Sequence, residues 1–456
     1  MAQEGGEKQS DRPNIVVIVA DDLGYNDLGF QGGKEIPTPH LDGLAGGGVR
    51  FTNGYVSGPV CSPTRAGLLT GRYQQRFGHE FNLGGNQGEG AKEIGLPTSE
   101  TTIADALGKA GYTTALVGKW HLGNAEKFRP LARGFHEFYG FLGGAHAYVP
   151  RAGRGSLAPI FRNNDEVEMP EHLTHAFAKE ASEFIGRQSN SEKPYFLLLT
   201  FNAVHTPLQP DEEHLAKFSH IDDQQRRRYA GLVSGLDSAV GHVLAAIEKS
   251  GEEENTLVFF ISDNGGPQQA NGSDNTPLRG DKGSVYEGGV RVPFVAKWKG
   301  KLPAGKTFEQ PVISLDITAT AAAVGGAELG SSDRPADGVN LIPHLLGEVE
   351  QAPHENLYWR FGPQRAIRQG EYKLVYQGDQ PPQLYNLKSD ISEGNNLADK
   401  EPEKVAALAA EFAKWNDELA EPLWKRLPRA QRQQRQRQRQ RQQQNASLQE
   451  APAISN

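Results

Sequence analysis

Cysteine is nearly missing from this chain: 456 residues contain one, Cys61. A single thiol excludes an intramolecular disulfide and leaves the redox compartment undecided. Long apolar runs are missing too. No uninterrupted one approaches bilayer length, so no membrane segment is expected. The opening residues Met1 to Gly6 lack the apolar core of a signal peptide. Two readings follow, a cytoplasmic protein or a mature chain whose leader was removed. The Ala2-Gln3 start fits a signal-peptidase product and favours the second, a periplasmic or secreted protein.

What is present describes a soluble globular chain, with 23% charged and 37% hydrophobic residues. Its 53 glycines point to long loops on a scaffold. Net charge is −8 but unevenly spread. From Lys425 onward eight Lys/Arg face one Asp/Glu, leaving 40 against 55, or −15, before it. An acidic body suits a cation site better than a nucleic-acid surface. Residues 1–12 are expected to be disordered. Residues 425–456, alternating Arg and Gln, read as a low-complexity tail, either disordered or adhesive to polyanions.

The β-branched run Asn14–Ala20 predicts a buried strand, with Asp21 and Asp22 directly after it. Ser99 is a plausible N-cap for a helix to Ala110, and Tyr112–Val117 reads as a strand delivering Lys119 and His121. A helix over 173–187 leads to the strand Tyr195–Phe201, followed by His205. An amphipathic helix is expected between Asp222 and Ser250. The strand Leu257–Ile261 ends in Asp263 and Asn264. Four strands therefore each end in residues able to bind metal or transfer protons. Alternation with helices predicts a largely parallel sheet with one active edge. An Asp pair that merely caps a loop is the plain alternative for Asp21 and Asp22. Residues 140–164, with His146 and Arg151, read either as a substrate-binding loop or as a surface Ω-loop. Beyond Leu346, 356–361, 364–368, 372–377 and 384–387 read as short strands with a turn at Gln369-Gly370. A helix over 402–419 follows.

Cys61 opens the string Cys61-Ser62-Pro63-Thr64-Arg65. Pro63 suits a first helical turn, so Cys61 would stand at a helix N-terminus that favours an anion. Arg65 lies one turn on and can reach back toward it. The pair reads as a nucleophile cradle or, more plainly, as a buried structural cysteine beside a surface arginine.

Together with Leu69-Thr70-Gly71-Arg72, this string resembles the signature of the type I sulfatases in the alkaline-phosphatase-like superfamily. Gly118-Lys119-Trp120-His121-Leu122-Gly123, Ser262-Asp263-Asn264-Gly265-Gly266 and the block from Pro277 to Arg291 resemble further sulfatase motifs. Asp281 departs from the family's usual glycine. The resemblance implies a large mixed, mostly parallel sheet sandwiched by helices over residues 13–346. It also implies a small C-terminal α+β domain with an antiparallel sheet over 347–424.

The resemblance implies oxidation of Cys61 to Cα-formylglycine by a maturation enzyme. It further implies metal ligation by Asp21, Asp22, Asp263, Asn264 and residue 61, with Ca²⁺ the usual ion. The four side chains supply only oxygen ligands, with no Cys or His at zinc-like spacing among them, which selects Ca²⁺ or Mg²⁺. Hydrated formylglycine carries two hydroxyls on one carbon, one to attack sulfur and one to expel sulfate by C–O cleavage. By the same resemblance His121 is the base for elimination. His205 and Lys282 protonate the leaving oxygen, Lys119 clamps the sulfate, and Arg65 holds formylglycine in register. The implied activity is hydrolysis of a sulfate ester on a carbohydrate or aryl group. The alternatives are a phosphonate or phosphate ester hydrolase of the same superfamily, and a silent sulfated-glycan-binding protein.

Overall fold

A computed structural model describes residues 12–83, 93–150 and 159–425. The expectations for residues 1–11, for Arg151 and for the tail from Arg426 concern residues outside these ranges. The described residues up to Leu423 form one compact unit.

Ten strands make the main sheet: β1 (Asn14–Ala20), β2 (Val49–Phe51), β3 (Thr113–Lys119), β4 (Glu137–Phe141), β5 (Ile160–Arg162), β6 (Asp165–Val167), β7 (Tyr195–Thr200), β8 (Thr256–Ser262), β9 (Phe294–Lys297) and β10 (Lys306–Phe308). Their order is β10-β2-β9-β8-β1-β7-β3-β4-β5-β6. The central run from β8 to β4 is parallel throughout, while β9, β5 and β6 pair antiparallel with their neighbours. All seven residues of β1 are buried, as a central strand covered on both faces requires.

The pleat sorts side chains by parity. Val16, Ile18 and Ala20 join Leu197 and Leu199 in the core beneath α1 (Pro39–Gly46), α4 (Leu173–Gln188) and α6 (Gln224–Lys249). Val17, Phe196 and Leu198 meet Leu68, Leu69, Ile103 and Ile317 on the opposite face. That face is covered by α2 (Cys61–Thr70), α3 (Ile103–Lys109) and the helix Ser314–Gly325. The helix α6 contains a window apolar and long enough to cross a membrane, two-thirds of it buried. Its apolarity serves this core, through Tyr229, Leu232, Val233, Leu236, Val240, Val243 and Ile247.

Several boundaries shift from the sequence expectation. Helix α3 begins later, because Thr102 rather than Ser99 caps it, accepting from Asp105 N while the Asp105 carboxylate accepts from Thr102 N. Strand β3 runs two residues past the expected end at Val117, so Lys119 is its last residue rather than a loop residue beyond it. Part of the stretch read as a loop over 140–164 is β5, too short to leave a periodic signal.

The C-terminal strands Asn356–Phe361, Gln364–Gln369, Tyr372–Gln377 and Gln383–Asn386 form an antiparallel sheet in sequence order. The helix Pro402–Asp417 follows. Gln369 proves to be a strand residue paired with Tyr372, so the turn falls at Gly370-Glu371. A buried ionic network joins this sheet to the segment after Lys282. The Lys373 ammonium, wholly buried, lies 2.7 Å from Glu287 and 3.1 Å from Glu393. Arg291 and the Tyr55 hydroxyl also engage Glu287, at 3.2 and 2.6 Å. Burial raises both carboxyls, yet Lys373, Arg291 and Arg368 hold Glu287 down at about 2. Glu393, with fewer cations around it, is pushed up to about 7.

Candidate active site

The four adjacent parallel strands β8, β1, β7 and β3 deliver their C-terminal residues to one edge. Asp21 and Asp22 leave β1, Asp263 and Asn264 leave β8, and Lys119 and His121 leave β3. His205 follows β7. The predicted gathering of these residues at one edge is therefore present, because parallel neighbours end on the same side. Cys61 is the first residue of α2, whose N-terminus faces that edge.

Carboxylates and cations interlock at the centre. Lys119 Nζ donates to Asp21 Oδ2 at 2.5 Å, and Lys282 Nζ donates to Asp22 Oδ1 at 2.5 Å. Arg65 donates to Asp263 Oδ2 from Nε at 3.0 Å and from Nη2 at 2.8 Å, and to the Lys119 carbonyl at 2.9 Å. Three carboxylates thus meet three permanent cations. Cys61 Sγ sits among them, 3.5 Å from Asp21 Oδ1 and 3.1 Å from Lys282 Nζ. Arg65 engages Asp263 rather than reaching back to the sulfur as its helical spacing suggests. Lys119 likewise holds Asp21.

Burial sets the electrostatics. It pushes Asp21 up, but Lys119, His205, Arg65 and Lys282 outweigh it and hold the carboxyl far below the usual range. Asp263 is pushed up to about 6 by burial and by Asp21, against Arg65. Burial and Asp263 also push the Cys61 thiol up to about 12, despite Lys119 and Lys282. The helix N-terminus therefore does not yield the activated sulfur expected from sequence. Burial works against the Lys282 ammonium, but Asp22 and Cys61 hold it protonated well above the ordinary lysine range.

Asn264 Nδ2 donates to Asp22 Oδ1 at 2.7 Å. Its Oδ1 is buried without a hydrogen-bond partner among the described residues. An orphaned carbonyl oxygen beside three carboxylates is what a hard cation would satisfy, so the residues fit Ca²⁺ or Mg²⁺. One ligand atom each from Asp21, Asp22, Cys61 and His205 also lies within 4.8 Å of the others.

The two histidines differ in their free nitrogen. His121 Nε2 lies 3.0 Å from the Leu83 carbonyl, so Nε2 carries the proton and the buried Nδ1 keeps its lone pair without a partner among the described residues. His205 Nδ1 lies 2.6 Å from the Thr206 carbonyl and so is the protonated nitrogen, which leaves Nε2 facing Asp22 at 3.6 Å. Burial lowers both, and Lys119 lowers His121 further. Asp22 and His121 have φ of 65° and 59°, the left-handed region that costs a residue with a Cβ and that the surrounding contacts must hold in place.

His146 is buried with its ring against Phe141, and its Nδ1 lies 2.7 Å from the Ala147 carbonyl. Its loop does reach the site: a Cβ on Gly144 would stand 2.6 Å from His121 Nε2. Sequence reasoning missed two supports. Ser62 Oγ bridges the His121 carbonyl and His79 Nε2, each at 2.7 Å, and so braces the strained His121 backbone. Tyr148 Oη contacts the carbonyls of Asn202 and His205 at 2.7 and 2.8 Å. Ser62 lies inside the Cys61 string, the only signal that could have exposed it.

A family model described as Sulfatase matches residues 13–327. N-acetylgalactosamine-6-sulfatase of Homo sapiens is 35% identical over 385 residues, which span 80% of this chain and 71% of that protein. The crystal structure of Ps i-CgsB in complex with k-i-k-neocarrahexaose superposes with a TM-score of 0.85 and 38% identity, covering 91% of this chain and 94% of that one. The PsFucS1 sulfatase from Pseudoalteromonas sp. superposes with a TM-score of 0.77 and 25% identity, covering 89% and 90%.

Proposed function

The chain belongs to the sulfatase family and hydrolyses sulfate esters, and on that premise we propose that Cys61, matured to Cα-formylglycine, works with a bound Ca²⁺ on a sulfated oligosaccharide. The observation that carries the reading is Cys61 Sγ standing between Asp21 and Lys282, on the edge where Asn264, bonded to Asp22, leaves its Oδ1 orphaned. Asp21, Asp22, Asp263 and Asn264 would hold the cation together with residue 61. The ion supplies positive charge against the sulfuryl oxygens, and the aldehyde hydrate supplies paired hydroxyls.

The chain's own groups account for the rest. Three carboxylates already balance Lys119, Lys282 and Arg65, so a divalent ion leaves a net positive pocket for an anionic ester. Lys119 and Lys282 hold their carboxylates in place and present the remaining N–H groups to the sulfate. His121 accepts a proton at Nδ1 in the step that frees sulfate. His205 would deliver one to the leaving oxygen as an imidazolium, with Nε2 as well as Nδ1 protonated beside Asp22, and Lys282, held protonated, stands beside it. Arg65 keeps Asp263 ionised and aimed. His146 and Arg151 are proposed as substrate contacts, with a periplasmic or secreted setting and a separate maturation enzyme.

The relative Ps i-CgsB was captured with a neocarrahexaose, which favours a sulfated polysaccharide fragment here. Release of sulfate from a panel of carrageenan, fucan and glycosaminoglycan oligosaccharides, beside aryl sulfate and aryl phosphonate esters, tests this. Faster turnover of a phosphonate than of every sulfate would overturn it. So would an active preparation whose residue 61 has the mass of unmodified cysteine.

A further inference from the structure

Away from the active site, His172, His175 and Asp211 converge at the start of α4. One ring nitrogen from each histidine and one oxygen of Asp211 lie within 4.8 Å of one another. His175 Nε2 is 3.2 Å from Asp211 Oδ2. The other oxygen of Asp211 accepts from His214 N at 2.9 Å, which caps the short helix α5 (Glu212–Ala216) and fixes the carboxylate. His172 Nε2 lies 2.9 Å from the Gln209 carbonyl, so that nitrogen carries the proton. Its Nδ1 lone pair is then free, buried, and without a partner among the described residues.

A histidine with one nitrogen tied to a carbonyl and the other unused is the arrangement found at metal ligands. Two imidazoles and one carboxylate suit a borderline-soft divalent ion rather than Ca²⁺. We propose that His172, His175 and Asp211 form a second, Zn²⁺-type metal site, with water completing a tetrahedron. Bonds of ~2.05 Å give ligand separations of about 3.4 Å, so a small rotation of the half-exposed His175 ring closes the set. The site opens on a groove of about 900 Å³ between α4 and α6, where Glu171 and Glu213 add negative charge.

The bound ion would act as a clamp. Gln209 holds His172 by its carbonyl, and its side chain accepts from Tyr148 N at 3.0 Å. Tyr148 Oη in turn contacts the His205 carbonyl. Filling the site therefore ties the N-terminus of α4 to the loop that carries His205.

The test uses the full chain saturated with Ca²⁺, titrated with ZnCl₂ by calorimetry and with CoCl₂ by visible absorption. Wild type should take up one further Zn²⁺, gain a higher Tm, and give Co²⁺ bands of nitrogen ligation. His175→Ala and Asp211→Asn, both partly exposed changes, should weaken uptake at least tenfold and abolish the Tm gain. Equal Zn²⁺ affinity in wild type and both variants would overturn the site, as would no uptake by the Ca²⁺-saturated wild type. Neither readout depends on turnover or on the state of residue 61.

Discussion

Replacing Lys373 by methionine tests how far the small sheet governs the active site. The substitution keeps the side-chain volume but removes an ammonium with no exposure, held by Glu287 and Glu393. Glu287 keeps Arg291 and Tyr55, so the main penalty falls on Glu393, left buried beside a second carboxylate. Breaking a buried pair from one side costs about 3–5 kcal/mol. With an unfolding entropy of ~2.1 cal/mol/K per residue over roughly 400 ordered residues, that lowers Tm by about 4–6 °C. Lys373→Met with Glu393→Gln removes the carboxyl that the single variant must either leave charged or protonate at a cost, and should recover about 1–2 kcal/mol, because the two sites are in contact. Glu287 lies five residues beyond Lys282, so kcat should fall in the single variant and recover in the double. Calorimetric Tm and steady-state kinetics at saturating Ca²⁺ measure both effects. A Tm shift under ~1 °C, or a double variant no more stable than the single, would refute the reasoning.

Exhaustive chelation should abolish turnover and Ca²⁺ should restore it, and full activity in verified metal-free protein would remove the ion from the mechanism. His121→Ala should release about one equivalent of alcohol rapidly and then nearly stop, with kcat down roughly 10²–10⁴-fold. His205→Ala should slow alcohol release itself, most for poor leaving groups, and the opposite pattern would exchange the two roles. His354 lies 2.7 Å from Asp316, and although burial lowers its pKa, Asp316 wins and raises it above the ordinary 6.5. A raised folded-state pKa contributes stability below about pH 6.5 that is lost as pH climbs through the folded value. The Tm gap between wild type and His354→Gln should therefore be wider at pH 6 than at pH 9, and a constant gap would count against the ion pair.

The strands that build the catalytic edge were legible because each is a continuous apolar run, such as Asn14–Ala20, ending abruptly in ionisable residues. The ligand candidates followed from that juxtaposition and from the motif around Cys61. Strands of three or four residues, such as Val49–Phe51 and Phe294–Lys297, carry no period, and distant pairing alone defines them. The same holds for interactions across long separations. Nothing local predicts that Arg65 aims at Asp263, or that Lys373 neutralises Glu287. His175 falls inside the helix expected over 173–187 and His172 just before it, and only the fold brings Asp211 to them.

The burial of Cys61 also orders events in the life of the protein. The side chain is 1% exposed, and every residue of its helix is buried. Thr64 Oγ1 donates to Gly58 O at 2.7 Å, and Ser62 N donates to Asn82 Oδ1 at 2.9 Å, so the segment is tied down on both sides. A second enzyme must grip several residues around a target to oxidise it, and the finished structure offers none of them. Any such reaction has to reach the nascent or unfolded chain. The ratio of synthesis rate to oxidase supply would then fix the competent fraction of each batch, and late addition of oxidase to folded protein would leave that fraction unchanged.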